Sequence, residues 1–317
     1  MMQGYIPPAD RTRRETRLTA EFDRATPGFH QVGGDVPLPE AALLYDLEIK
    51  ATGSVLPRIW QQIGSCVGAA AARAYEQTQA GDFVHRNTQE DIRSIFPWAT
   101  WGVGRRIAGM NTRGGGSFGA AQAKAVADWG MLPIDHPLLP KPTNRNGWLL
   151  WTSKIETDYS VPRSWPVREA ELAPDAEKQQ MTYVARIRDM PTLLQAFAQG
   201  YGVTVASMFG TSPTVREGFL VGDWNRSWAH QMSLSGYLRH PSLGLLIAVD
   251  NQWGPDAHGT CPYLESRYGR RVRGSFWITE ATAKRIMQSN DSEVFAHGNS
   301  EDFPPRVIDW GSLGMGE

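Results

Sequence analysis

Two cysteines occur in the 317 residues, Cys66 and Cys261, and the first has the context of a nucleophile. Cys66 closes the turn Gly64-Ser65-Cys66 and opens the run Val67-Gly68-Ala69-Ala70-Ala71-Ala72-Arg73-Ala74-Tyr75-Glu76. Alanine is the strongest helix former, so this run predicts a slender helix that neighbours can approach closely. The thiol would sit at its amino end, where unpaired N–H groups and the positive end of the helix dipole stabilise a thiolate and lower its pKa. A small buried cysteine at a helix start is the commoner outcome for a cysteine taken alone. The case therefore rests on partners: a base within hydrogen-bond reach, and a third group to orient the base.

Both occur in the second half of the chain. His230 lies in Trp228-Ala229-His230-Gln231-Met232-Ser233-Leu234-Ser235-Gly236-Tyr237, at the start of a predicted strand, and the apolar run 243–249 ends in Asp250-Asn251-Gln252-Trp253-Gly254. If the two strands are neighbours, His230 and Asn251 lie side by side. Asn251 would then fix the imidazole through its side-chain carbonyl, and Trp253 would cover that bond from water. His258 and Cys261 have a His-x-x-Cys spacing, but no second pair of ligands is near, so no metal is expected; nor is any cofactor. The triplet Gly114-Gly115-Gly116 lacks the Lys-Ser/Thr of a phosphate loop and reads as a bare backbone shelf.

The elements that must position these groups fall into two textures. The central helix is expected to end near Ala80-Gly81, followed by a helical region 87–106 broken at Pro97 and a small-residue helix 120–129. Residues 132–175, rich in proline and tryptophan, read as a long ordered connection. Strands are then predicted at 181–187, 203–208, 228–238, 243–249 and 274–278, with a helix at 190–200. A mostly helical half, about 55–165, thus precedes a mostly stranded half, about 175–288. That order predicts an α+β fold with an active-site cleft between a mostly helical half and an antiparallel sheet. Residues 1–36 read as an arm, 37–288 as one domain, and 289–317 as a polar surface extension.

Composition narrows the partners. Lysine and arginine number 32 against 33 acids, which leaves no global field to attract nucleic acid or an anionic membrane. The amino terminus lacks the apolar core of a signal peptide and no apolar run is long enough to span a bilayer, so a soluble, cytoplasmic protein with reduced cysteines is expected.

Four blocks in order resemble the papain-like cysteine peptidases: Gln62-Ile63-Gly64-Ser65-Cys66 before a helix, the glycine shelf with a helix ending Trp129-Gly130, His230 with Gly236-Tyr237, and Asn251-Gln252-Trp253-Gly254. The resemblance covers about residues 40–285, with residues 274–278 similar to a late strand of the family. It implies a thiol protease with a Cys-His-Asn triad: Cys66 the nucleophile that forms an acyl-enzyme, His230 the acid and base, Asn251 the orienting group, Trp253 the shield. It implies a peptide or protein substrate lying extended along a shelf at Gly115 and Gly116, with one oxyanion donor from the Cys66 N–H and a second from an upstream glutamine. The chain departs from the family there. The glutamine usually stands six residues before the cysteine, where this chain has Trp60; Gln61 and Gln62 follow it. Either Gln61 reaches the hole across a shortened turn, or Gln62 does, or the hole is incomplete. An incomplete hole would suit a different role, as an inactive domain docked through its terminal arms on a larger assembly such as a virion.

Overall fold

The computed structural model describes residues 4–86, 92–298 and 303–313. Its centre is the helix Cys66–Arg86, which lies between two apolar cores. On the helical side Val67, Ala69, Ala72 and Tyr75 pack with Trp98, Trp101, Phe118 and Leu149. On the other side, Ala80 joins the core of the sheet, with Leu47, Phe197, Val203 and Tyr237. Small side chains make this possible. A Cβ on Gly202 would lie 1.9 Å from the Ala74 carbonyl oxygen, and one on Gly81 would lie 2.2 Å from that of Gly200. Gly81 therefore does not stop the helix, which runs to Arg86; glycine is there because another backbone crosses at contact distance.

The stranded half is one mixed, mostly antiparallel sheet. Its strands are β1 (Ala41–Leu43), β2 (Tyr183–Arg186), β3 (Val203–Gly210), β4 (Thr214–Arg216), β5 (Phe219–Gly222), β6 (Arg226–His240), β7 (Gly244–Asp250), β8 (Phe276–Thr279) and β9 (Glu293–Gly298). Their spatial order is β2-β9-β3-β6-β7-β8-β5-β4, with β1 also on β6, and only β5 with β8 is a parallel pair. The α+β architecture matches the expectation, and β6 and β7 are neighbours. Consecutive residues of β3 and β7 are buried on both faces, as suits strands covered on each side by the central helix and by helices 190–198 and 280–288.

Several segments differ from their sequence reading. Pro97 does not break a helix but begins one, Pro97–Ile107, at the first position, where its missing N–H is harmless; residues 87–91 lie outside the described residues. The connection 132–175 carries its own structure. Trp148–Leu150 runs parallel to Arg58–Trp60, helices follow at Ser153–Tyr159 and Glu169–Glu177, and Trp98, Trp101, Trp148 and Trp151 are completely buried. Phe96, Trp151 and Trp98 meet edge to face at 5.6 and 5.8 Å. The tryptophans are therefore the core of the helical half.

Among its described residues, 289–298 and 303–313, the tail is not a surface extension. Its strand β9 lies between β2 and β3, and Phe303 and Trp310 are buried. The polar run Ser289-Asn290-Asp291-Ser292 masks a short apolar strand behind it. The amino-terminal arm also returns to the body: Arg13–Ala25 is a helix with a Thr12/Glu15 capping box, and its Phe22 meets Phe295 of β9 edge to face at 5.5 Å. No helix among the described residues is long and apolar enough to cross a membrane.

Trp310 donates its indole N–H to the Ala198 carbonyl at 2.8 Å from within the sheet-side core. Trp310→Ala should destabilise the protein by about 3–5 kcal/mol in denaturant unfolding. A change below about 0.5 kcal/mol, typical of surface positions, would show that the tail is dispensable.

Candidate active site

Cys66 is the first residue of the central helix, at the interface of the two halves, and is fully buried. Its sulfur accepts the N–H of Gln231, the residue after His230, at 3.4 Å. It also receives the N–H groups of Gly4, Val67 and Cys66 itself. These donors favour a thiolate, as the helix end predicts, but burial outweighs them and pushes the thiol up to about 12. The lowered pKa expected from sequence is absent in this closed state.

His230 is brought to the same place by a bulge in β6. The pairing of β6 with β3 slips between Ser227 and His230, so Trp228 and Ala229 are accommodated out of register and the following side chain is re-aimed. His230 Nε2 bonds Asn251 Oδ1 at 2.8 Å, and Trp253 stacks on the imidazole at 4.4 Å and 30°. An amide oxygen only accepts, so Nε2 carries the proton and Nδ1 holds the lone pair. That Nδ1 has no hydrogen-bond partner among the described residues, the sulfur included. Burial lowers His230 to about 3. A proton does not pass from a thiol at about 12 to an imidazole at about 3, so both groups are neutral here.

The amino-terminal arm contributes to this burial. Tyr5 N–H donates to Ala229 O at 3.2 Å, Ile6 N–H to Ser117 O at 2.7 Å, and Ser117 N–H to Gly4 O at 2.9 Å. The arm thus pairs with both walls of the cleft and lies over the sulfur. A Cβ on Gly4 would sit 2.5 Å from the Gly64 carbonyl and 2.9 Å from Sγ. Beyond Tyr5, the Arg11 guanidinium bonds both carboxylate oxygens of Glu293 at 2.9 Å and lies 4.5 Å from the Phe118 ring centre. The two side chains are only 1% and 7% exposed, so the arm is clamped by a buried ion pair.

The Gly115 and Gly116 backbone is engaged within the protein. Gly116 N–H is taken by Gly64 O at 2.7 Å, and the Gly115 and Gly116 carbonyls both accept from Arg105. Ser117 is the residue whose N–H and C=O face the cleft. Gly115 serves close approach instead, since its Cβ would lie 3.0 Å from Gly64 Cα.

Of the two glutamines, Gln61 is buried and Gln62 is partly exposed. Gln61 donates its side-chain amide to Ile63 O at 2.9 Å, and its Oε1 has no partner among the described residues. Gln62 folds back on Trp60 O and Gln61 O, both at 3.2 Å. Trp60 packs beneath Gly254. The cysteine turn is held instead by a residue the sequence reading missed. Glu156, from the helix Ser153–Tyr159, accepts Gln62 N–H at 2.7 Å, Ile63 N–H at 3.2 Å and Ser65 Oγ–H at 2.6 Å. Burial pushes Glu156 up to about 8. Nothing local in Ser153-Lys154-Ile155-Glu156 distinguishes it from a solvated helix start.

Behind Asn251 lies a buried ionic cluster, also invisible in the sequence. Asp250 pairs with Arg58 at 3.1 Å and Arg73 at 2.8 Å, and accepts Tyr45 O–H at 2.5 Å. Arg58 also donates to Asn251 O at 3.1 Å. Burial opposes the charge on Asp250, but the two guanidiniums outweigh it and hold the carboxyl below its usual range. His258 is not paired with Cys261. Its Nε2 accepts from Asn251 Nδ2, while Cys261 precedes the helix Pro262–Tyr268.

No protein-family model matches the chain, and neither does any curated protein. Solved structures do. It is similar to xylellain, a cysteine protease from Xylella fastidiosa, at 17% identity over 94% of this chain and 96% of that one, with a TM-score of 0.56. It is also similar to the proform of Amb a 11, a cysteine protease and ragweed pollen allergen, at 12% identity over 89% of this chain and 73% of that one, with a TM-score of 0.51. The buried cysteine at the head of a central helix, facing a His–Asn pair on a mostly antiparallel sheet, is therefore set in the fold of the papain-like cysteine proteases.

Proposed function

We propose that the chain is a cysteine peptidase, or a related amide hydrolase, held latent by its own amino-terminal arm. The observation that carries this reading is the arm's pairing with Ala229 and Ser117 across Cys66, because it uses the backbone bonds a bound peptide would use. The arm survives there because it offers the sulfur an N–H, that of Gly4, rather than a carbonyl carbon. Its Gly4 carbonyl is turned to Ser117.

Once the arm leaves, water and substrate dipoles reach the site, the thiol falls and the imidazole rises. Cys66 then gives its proton to His230 Nδ1 and attacks the substrate carbonyl carbon. The C–S bond forms as the carbonyl π pair moves to oxygen. His230 returns the proton to the leaving nitrogen as the C–N bond breaks, then takes one from water, whose oxygen displaces the sulfur and restores the thiol. Asn251 holds the ring and Trp253 keeps water from that bond. The Cys66 N–H and the second amide proton of Gln61 are the oxyanion donors in this scheme. The space left by Tyr5 and Arg11 ends on Glu293 beside Phe118, a floor that suits a basic side chain on an aliphatic stem.

A second reading, a binding module in a larger assembly, is favoured by the Gln61 amide bonding its own turn and by Trp60 at the usual glutamine position. Two measurements decide. Gly4→Val cannot fit over the sulfur and should raise alkylation of Cys66 at pH 7.5 by on the order of 10³-fold, the thiolate gained if the thiol falls from about 12 towards about 8.5. Cys261 serves as the internal control, and equal labelling in both proteins would sink the latency. The same variant should cleave members of a peptide library, and Gly4→Val/Cys66→Ala should not. Fast labelling without cleavage would favour the binding module. Among cleaved peptides, those with lysine or arginine near the scissile bond should lead by about tenfold, a lead that Glu293→Gln removes.

A further inference from the structure

His230, Asn251 and His258 form a chain. His230 Nε2–H donates to Asn251 Oδ1, and Asn251 Nδ2–H donates to His258 Nε2. An amide has one accepting end and one donating end, and turning it by 180° exchanges them. With its accepting nitrogen towards Asn251, a neutral His258 admits only one orientation, the one that presents Oδ1 to His230. That orientation in turn requires the His230 proton on Nε2 and leaves the lone pair on Nδ1, the nitrogen with no hydrogen-bond partner among the described residues.

The rings are held so that this selection cannot relax. His258 lies nearly parallel to Trp228, with centroids at 5.6 Å and 26°, and meets Phe276 edge-on at 4.8 Å. Trp253 is shared, stacking on His230 at 4.4 Å and tilting against His258 at 5.9 Å. The charged groups around His258 disfavour its protonation. Arg58, from the strand beneath, repels it, and Asp250 is already bonded to Arg58, Arg73 and Tyr45. His230 is neutral, and the exposed Asp256 faces Arg273 at 3.8 Å. Burial first, and then Arg58, lower His258 to about 4, so it is neutral at ordinary pH.

We propose that His258 is a positioning residue of this site: by accepting the Asn251 amide proton it fixes the amide's orientation and, through it, the tautomer of His230. The proposal rests on reading Cys66 and His230 as the working pair, but its structural content does not. Protonated His258 would carry an N–H towards Asn251, so the amide would turn and offer His230 a donor where it needs an acceptor.

The test separates the two readings. Nitrogen-15 chemical shifts of His230 in the full chain report its tautomer whether or not the protein cleaves anything. The Nε2–H form should hold in the wild type and in His258→Gln, whose side-chain oxygen can still accept. His258→Leu should show at least a tenth of the Nδ1–H form. In the Gly4→Val background, His258→Leu should lower kcat tenfold or more with KM little changed, and His258→Gln should restore it while moving the acid limb of the pH profile. An entirely Nε2–H His230 in a folded His258→Leu protein would overturn the proposal. Absence of cleavage in every variant, with the tautomer shift present, would instead remove the peptidase and leave His258 its role.

Discussion

The structure depends on the buried pairing of Arg73 with Asp250. Arg73 is on the helix that begins with Cys66, Asp250 is the last residue of the strand that precedes Asn251, and their 2.8 Å contact fixes one half of the site against the other. Arg58 adds a third element, and Glu48, 2.6 Å from Arg73, a fourth. Glu76, 3.5 Å from Arg73, joins the same cluster, and burial raises both it and Glu48 above the usual carboxylate range. Such a cluster is a poor source of net stability, because desolvation consumes most of the Coulombic gain. Its value is geometric: removing any one member leaves an uncompensated charge, so the halves have few ways to slide.

Within that frame the chemistry is governed by water. Burial holds Cys66 and His230 as a neutral thiol and imidazole, and in the function proposed above they become an ion pair once the arm leaves. Backbone N–H groups at the helix end work towards the thiolate in both states, but in the covered state they act against a larger desolvation. The latency proposed above therefore needs no distortion of the site. The His–Asn bond and the stacked Trp253 are in place, and it is the solvent that is missing.

What could be read in advance follows how local each signal is. The central helix, the neighbouring strands and the Cys, His and Asn that they carry lie in contiguous runs whose composition and period declare themselves. The same holds for the α+β order of elements. Other features were illegible because their meaning lies in a remote partner. Gly81 reads as a helix stop and is a contact with Gly200; Glu156 reads as a solvated acid and organises the cysteine turn. Glu293-Val294-Phe295-Ala296 is too short to stand out from a polar tail, yet it lies inside the sheet. Gly115 and Gly116 read as an open backbone shelf, but Arg105, ten and eleven residues before them, takes their carbonyls.

By itself the sequence determined which reactive groups exist, their order, and the kinds of element that carry them, since these depend on side-chain type and short-range backbone preference. Only the tertiary structure decided their protonation, which glutamine is buried, where the arm lies, and which way the Asn251 amide faces. Those properties arise from desolvation and hydrogen-bond direction, and both are set at each atom by segments far away in the chain. His258 shows the division most clearly. Its His-x-x-Cys spacing with Cys261 gave no metal site in the sequence, and in the fold its Nε2 meets the Asn251 side-chain amide.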